Sequence, residues 1–166
     1  MQKYRYVFQI LSSEQYCLTW IDAMEHPDGE VYFNMIWVKG TGKHWKAFHE
    51  LSSSKYRRRY KSYIARGYRL QHIESYVHRR RLLYAAIFVK EDWPAWVSYH
   101  GYSLKRHKHR FYSLHKEGYR LVVQSVTEYR GKLYISAIYD SLSLGGYQVR
   151  MGLSTQTFST EFQKQV

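Results

Sequence analysis

The hydrophobic positions of this chain change period in a recurring order. Behind Ser52, Ser103 and Ser154 the large residues fall three or four apart: Tyr56, Tyr60 and Ile64, then His107, Phe111 and Leu114, then Phe158 and Phe162. That spacing lines one face of a helix, and Ser is a preferred N-cap. Gly67 and Gly118 follow two of these segments, where a left-handed residue closes a helix. The pattern then becomes extended. Residues 68–76 and 119–129 predict a first strand, with Leu70, Ile73 and Tyr76 pointing inward. Residues 82–89 and 133–139, rich in types that suit a pleated surface, predict a second. Residues 45–48, 96–99 and 147–150 predict a short third strand before the next Ser. Turns fall at His26-Pro27-Asp28-Gly29 and at Arg130-Gly131-Lys132.

This order of helix and three strands is an internal repeat with a spacing of 51 residues. Gly67-Tyr68-Arg69-Leu70 returns as Gly118-Tyr119-Arg120-Leu121. Trp45 and His49 return as Trp96 and His100, then as Tyr147 and Met151. Met35-Ile36-Trp37, Ala86-Ile87-Phe88 and Ala137-Ile138-Tyr139 fall in register, as do Tyr60, Phe111 and Phe162. With one residue of slippage, Tyr4, Phe8, Tyr16 and Leu18 match Tyr56, Tyr60, Tyr68 and Leu70. The expected fold is α+β: tandem αβββ repeats, stacked or arranged around an axis. Unit one covers 1–51, unit two 52–102 and unit three 103–153, and 154–166 form the helix of a fourth.

The combined pattern resembles the bacterial tandem repeat domain, which also builds the N-terminal half of fungal polyglycine hydrolases. Trp96 through Ser103, Phe111, Gly118-Tyr119-Arg120-Leu121 and Ala137-Ile138-Tyr139 carry the fullest copy. Unit one departs from it, with Gln15-Tyr16-Cys17-Leu18 in place of Gly-Tyr-Arg-Leu. The resemblance implies an accessory module without catalysis, of a kind found beside a serine hydrolase domain similar to class C β-lactamases. It leans towards an extracellular setting.

Composition sharpens this picture. Eighteen Tyr and seven Phe give enough apolar surface for a core, which excludes an acidic disordered chain. One Cys forms no internal bridge, and no apolar run approaches the length of a membrane span. The first residues carry no signal-peptide pattern. Charge is concentrated: residues 41–120 hold 19 Lys/Arg and 5 Asp/Glu, and the remainder 7 and 8. Such a middle attracts polyanions. Candidate contacts are Arg57, Arg58 and Arg59 on the second helix, Arg79, Arg80 and Arg81 in a strand turn, and Lys105, Arg106, Lys108 and Arg110 on the third helix. Stacking is expected to set the two helices side by side as one basic face.

Enzymatic chemistry finds little support. Ser52-Ser53-Ser54-Lys55 spells a Ser-x-x-Lys motif, but Ser103 and Ser154 share its register without the Lys, so a helix cap accounts for all three. His107 and His109 stand two apart, a spacing that points opposite ways on a helix. Met151 replaces the repeated His49 and His100, which suits packing better than metal ligation. No catalytic residue, metal or cofactor is therefore expected. Arg69 and Arg120 are expected to pair across units or to cover a ring. Two functional readings stand: a repeat scaffold that recognises a protein, a glycan or its own copies, and, less favoured, a binder of polyanions or nucleic acid through the basic face of residues 41–120. For self-association, Phe158 and Phe162 are the expected anchors, docking head to tail on unit one of another copy.

Overall fold

The structure is a computed structural model. It describes residues 2–142, 149 and 154–163, apart from the side chains of residues 2–5, 161 and 162. The elements run α1 (Gln2–Ser13), β1 (Tyr16–Glu25), β2 (Val31–Lys39), β3 (His44–Leu51), α2 (Ser53–Ile64), β4 (Arg69–His78), β5 (Arg81–Lys90), β6 (Trp96–Tyr102), α3 (Leu104–Lys116), β7 (Arg120–Tyr129), β8 (Lys132–Asp140) and α4 (Thr155–Gln163). The repeating order of helix and three strands is as expected. Tyr147, Gln148 and Arg150 of the expected last strand lie outside the described residues, as does Met151.

The repeated serines start the helices. Ser52 Oγ accepts the Lys55 N–H at 3.4 Å, Ser103 Oγ that of Arg106 at 3.4 Å, and Ser154 Oγ that of Thr157 at 3.2 Å. The glycines end two of them. With φ of +78° and +85°, Gly67 and Gly118 turn the chain so that the Tyr68 and Tyr119 N–H groups reach back to the carbonyls of Tyr63 and Leu114.

Hydrogen bonding divides the strands into three antiparallel sheets with orders β1-β2, β3-β5-β4 and β6-β8-β7. The short Trp-bearing strand thus pairs forward: β3 joins β5, and β6 joins β8. Trp45 opposes Val89 and Trp96 opposes Asp140, in equivalent registers.

Both faces of the middle sheet are covered. On one, Trp45, Ala47, Tyr76, Leu83, Ala85 and Ile87 meet Phe8 of α1 and Leu18, Ile21, Phe33, Met35 and Trp37 of unit one. On the other, Leu70, Ile73, Tyr84, Ala86 and Phe88 meet Tyr56 and Tyr63 of α2, and Val123 and Ile138 of the third sheet. That third sheet turns Ala137 and Tyr139 to the opposite side, against Phe111 and Leu114 of α3. Each unit therefore lays its helix side on the sheet of the next.

This layering corrects two expectations, the joint basic face and the pairing of Arg69 and Arg120 across units, while the expected covering of a ring holds for Arg69. The helices α2 and α3 lie on opposite faces of sheet β6-β8-β7, so they form no single basic face. Within α2 the deepest ring is Tyr56, whereas Tyr60 is only half-buried and reaches Trp96. Arg69 and Arg120 pair inside their own units, Arg69 with Glu91 and Arg120 with Asp140, because each acid ends the strand beside its arginine. Arg69 also covers the Trp93 ring, as a cation on an aromatic face.

Two substitutions test these layers. Tyr56→Ala and Phe111→Ala should each cost about 3–5 kcal/mol in urea melts, against about 0.5 kcal/mol or less for Arg58→Ala or Lys108→Ala. Among the described residues the Tyr56 hydroxyl is buried without a partner, so Tyr56→Phe should leave stability unchanged or raise it by about 1 kcal/mol.

Candidate functional site

The junctions between units are built from the first strand of each. His72 on β4 donates its Nε2–H to the Ile21 carbonyl on β1 at 2.7 Å, and Gln71 donates to that of Thr19 at 3.2 Å. On the other side the Ser75 N–H donates to Ser125 Oγ at 2.8 Å, and the Thr127 hydroxyl donates to the Ser75 carbonyl. Burial pushes the His72 ring down to about 4, so it is neutral at pH 7. These bonds fix one unit's height against the next.

The same register exposes a difference at unit one. The outer face of its two-stranded sheet carries Met24, Tyr32, Ile36 and Val38, which are 55, 52, 56 and 43% exposed, while Trp20 packs its ring on His72 of unit two at 4.2 Å. The equivalents of those four in unit two are Tyr76, Leu83, Ile87 and Val89, all 5% exposed or less. Unit two buries these positions against unit one. In unit one they form an open apolar face, a feature that marks an interaction surface. Composition hid it, because the pattern along β2 reads as an ordinary core strand.

The basic candidates are at the surface without being one patch. Arg57, Arg58 and Arg59 are exposed on α2, and Arg59 covers the Phe48 ring at 4.7 Å. Arg79, Arg80 and Arg81 are exposed at the β4–β5 hairpin. On α3, Lys105, Arg106 and Lys108 are exposed, and Arg106 stacks over Tyr102 at 3.7 Å. Arg110 is half-buried and ion-paired with Glu117 at 3.5 Å. Phe158 on α4 is 58% exposed, while the side chain of Phe162 lies outside the described residues.

Catalytic geometry is sparse. Ser52 is occupied as a cap by the N–H of Lys55 itself. Its neighbour Ser53 meets His100 Nε2 at 3.0 Å, a contact that ties α2 to β6 of the third sheet and that sequence reasoning missed. Nucleophile–base pairs share that spacing. Here, however, burial between the Tyr56 and Tyr84 rings, with Arg57 nearby, holds His100 down to about 4, which makes it a weak base. His107 is buried on Tyr99 at 2.7 Å while His109 is exposed. Among the described residues no three His, Cys, Asp or Glu side chains gather as metal ligands, and no helix is long and apolar enough to cross a membrane.

The repeat is visible in comparison with known families. A family model described as a polyglycine hydrolase-like structural repeat matches residues 1–40, 42–91 and 93–141. Each later match takes in the Trp-bearing strand, the helix and the two strands that the hydrogen bonds place in one sheet. No curated protein matches the chain.

The junctions give a pH dependence that can be measured. Burial pushes Glu74 up to about 7, with the Asp22 charge adding to it. The folded protein thus holds a proton that the unfolded chain releases near pH 4.5, so this group's contribution falls as pH rises from about 4.5 to 7. Glu74→Gln stays neutral throughout. It should raise the melting temperature at pH 8 and leave it nearly unchanged at pH 5.

Proposed function

The chain belongs to the polyglycine hydrolase-like structural repeat family, and from that premise we propose that it is a non-catalytic scaffold that assembles head to tail with its own copies. The open face of unit one carries this reading. Its four exposed residues occupy positions that unit two buries against a preceding unit. The surface that fits such a face is the helix side of another repeat. A second copy offers one at its C-terminal end, where Phe158 is exposed and Phe162 follows one helical turn later. The interface is heterologous, because the two surfaces differ. It gives a ring if the rotation closes and a filament otherwise.

Light scattering over roughly a hundredfold range of concentration tests the assembly, since mass action makes an associating chain heavier as it is concentrated. The mass should rise for the wild type and stay monomeric for Ile36→Lys and for Tyr32→Lys. Deleting residues 154–166 should abolish the rise while leaving the melting transition in place. A monomer at every concentration would remove the reading.

A second reading rests on the exposed cations of residues 41–120, of which Arg57, Arg58 and Arg79–Arg81 have no ion-pair partner among the described residues. Retention on heparin should then weaken steeply between about 50 and 200 mM salt. Converting Arg57, Arg58 and Arg59 together to Glu should abolish that retention.

A further inference from the structure

A cavity of about 370 Å³ opens between units one and two, on the side of unit one opposite its exposed face. Its floor is apolar, formed by Val31, Phe33 and Leu83. Around it stand Lys55, Arg79 and Arg81 with Glu30 and Glu50, and His49 and His78 join the lining, the latter with an Nε2 that is closed to solvent. That nitrogen is buried and has no hydrogen-bond partner, and neither Lys55, Arg79 nor Arg81 has an ion-pair partner, among the described residues.

The next junction shows how the fold fills this space when it is only structural. The equivalents of Phe33, His78 and Leu83 are Tyr84, Tyr129 and Tyr134. Tyr129 donates its hydroxyl to the Arg80 carbonyl at 3.0 Å and stands beside Tyr134, with ring centroids 6.1 Å apart. Tyr84 packs on the His100 ring. Its hydroxyl would lie 2.9 Å from a Cβ at Gly101, which confines that position to glycine. Phe33 lacks the hydroxyl, and the equivalent position holds Glu50.

Backbone strain converges on the same cavity. Glu50 and Arg80 have φ of +54° and +57°, where the equivalents Gly101 and Gly131 have +64° and +71°. Arg79, which lines the cavity, has φ of +49°, a value its equivalent Arg130 shares at +53°. Glycine adopts this conformation freely, whereas a side chain is strained there. Glu50, which lines the cavity, and Arg80, which adjoins it in sequence through Arg79 and Arg81, thus put charged residues at two glycine positions of the repeat, and strain of this kind gathers at ligand sites.

We propose that this cavity binds an anionic sugar, a ring that carries a carboxylate, phosphate or sulfate. The chemistry of the walls selects that class. Arg79, Arg81 and Lys55 provide donors for the anion. Glu30 and Glu50 accept hydrogen bonds from hydroxyls and disfavour a ligand that is anionic all round. Phe33 and Leu83 take the C–H face of the ring, and the volume lies in the range of small-ligand sites. The site is separate from the self-assembly surface, so either proposal can fail alone.

Titrations of the ¹⁵N-labelled full chain with glucuronate, glucose 6-phosphate, glucose and inorganic phosphate, followed by amide shifts, test the assignment. At least one anionic sugar should saturate below about 50 mM, with shifts centred on Leu83 and Glu50, and bind roughly tenfold or more tighter than glucose or phosphate. Which of the two binds identifies the acid group. Arg81→Gln should weaken that binding at least about tenfold without lowering the melting temperature. Glu50→Gly should raise the melting temperature, by relieving the left-handed strain, while also weakening the sugar. Phosphate binding as tightly as the anionic sugars, no saturation by either one, or unchanged binding in both variants would overturn the proposal.

Discussion

Burial of the second and third sheets on both faces is the constraint on which this molecule depends. A three-stranded sheet with one helix has one covered face and one apolar face left in water. In β5 the residues from Leu83 to Val89 are all buried, because alternate side chains serve α2 on one side and unit one on the other. The first set meets its own helix, with Val123 and Ile138 of the next sheet beside it, and the second is covered only by unit one. Stability is therefore shared between neighbours, as in other repeat arrays, and a change at one junction reaches both units that meet there.

Polar groups set the geometry of that stacking. Apolar contact alone tolerates sliding, since hydrophobic burial has no direction. The bonds from His72 to the Ile21 carbonyl, and between Ser75 and Ser125 with Thr127, hold β1, β4 and β7 at one relative height. These groups are buried, so losing one partner leaves the other desolvated and unpaired. Trp93 adds a tie at the outer edge: its ring lies under Arg69 of unit two, and its indole N–H donates to Asp140 of unit three at 3.3 Å.

Function, on this account, arises where a unit departs from the repeat rather than where it conforms. The repeated residues, from the capping serines to Tyr56, Leu70 and Phe88, are consumed in making the array. The departures are the open outer face of unit one and the Glu50 and Arg80 substitutions beside a cavity. Both are defined by comparing equivalent positions within the one molecule, so each site has its own internal control in the neighbouring unit.

The sequence by itself determined the repeat, its spacing, the serine caps, the glycine helix ends and the alternation of helix and strands, because all of these follow from local periodicity and backbone preference. It also indicated which side chains point inward on α3 and β4: Phe111, Leu114, Leu70, Ile73 and Tyr76 are all buried. The family resemblance was legible for the same reason, since its motif consists of those repeated positions. Only the tertiary structure decided that the Trp-bearing strand pairs forward, that a sheet separates the basic helices, and that Arg69 and Arg120 find acids within their own units. Ile36 and Ile87 are the same residue in the same strand pattern, yet one is open and the other buried. The difference between them is the presence of a neighbouring unit, a property of position in the stack that local sequence does not encode.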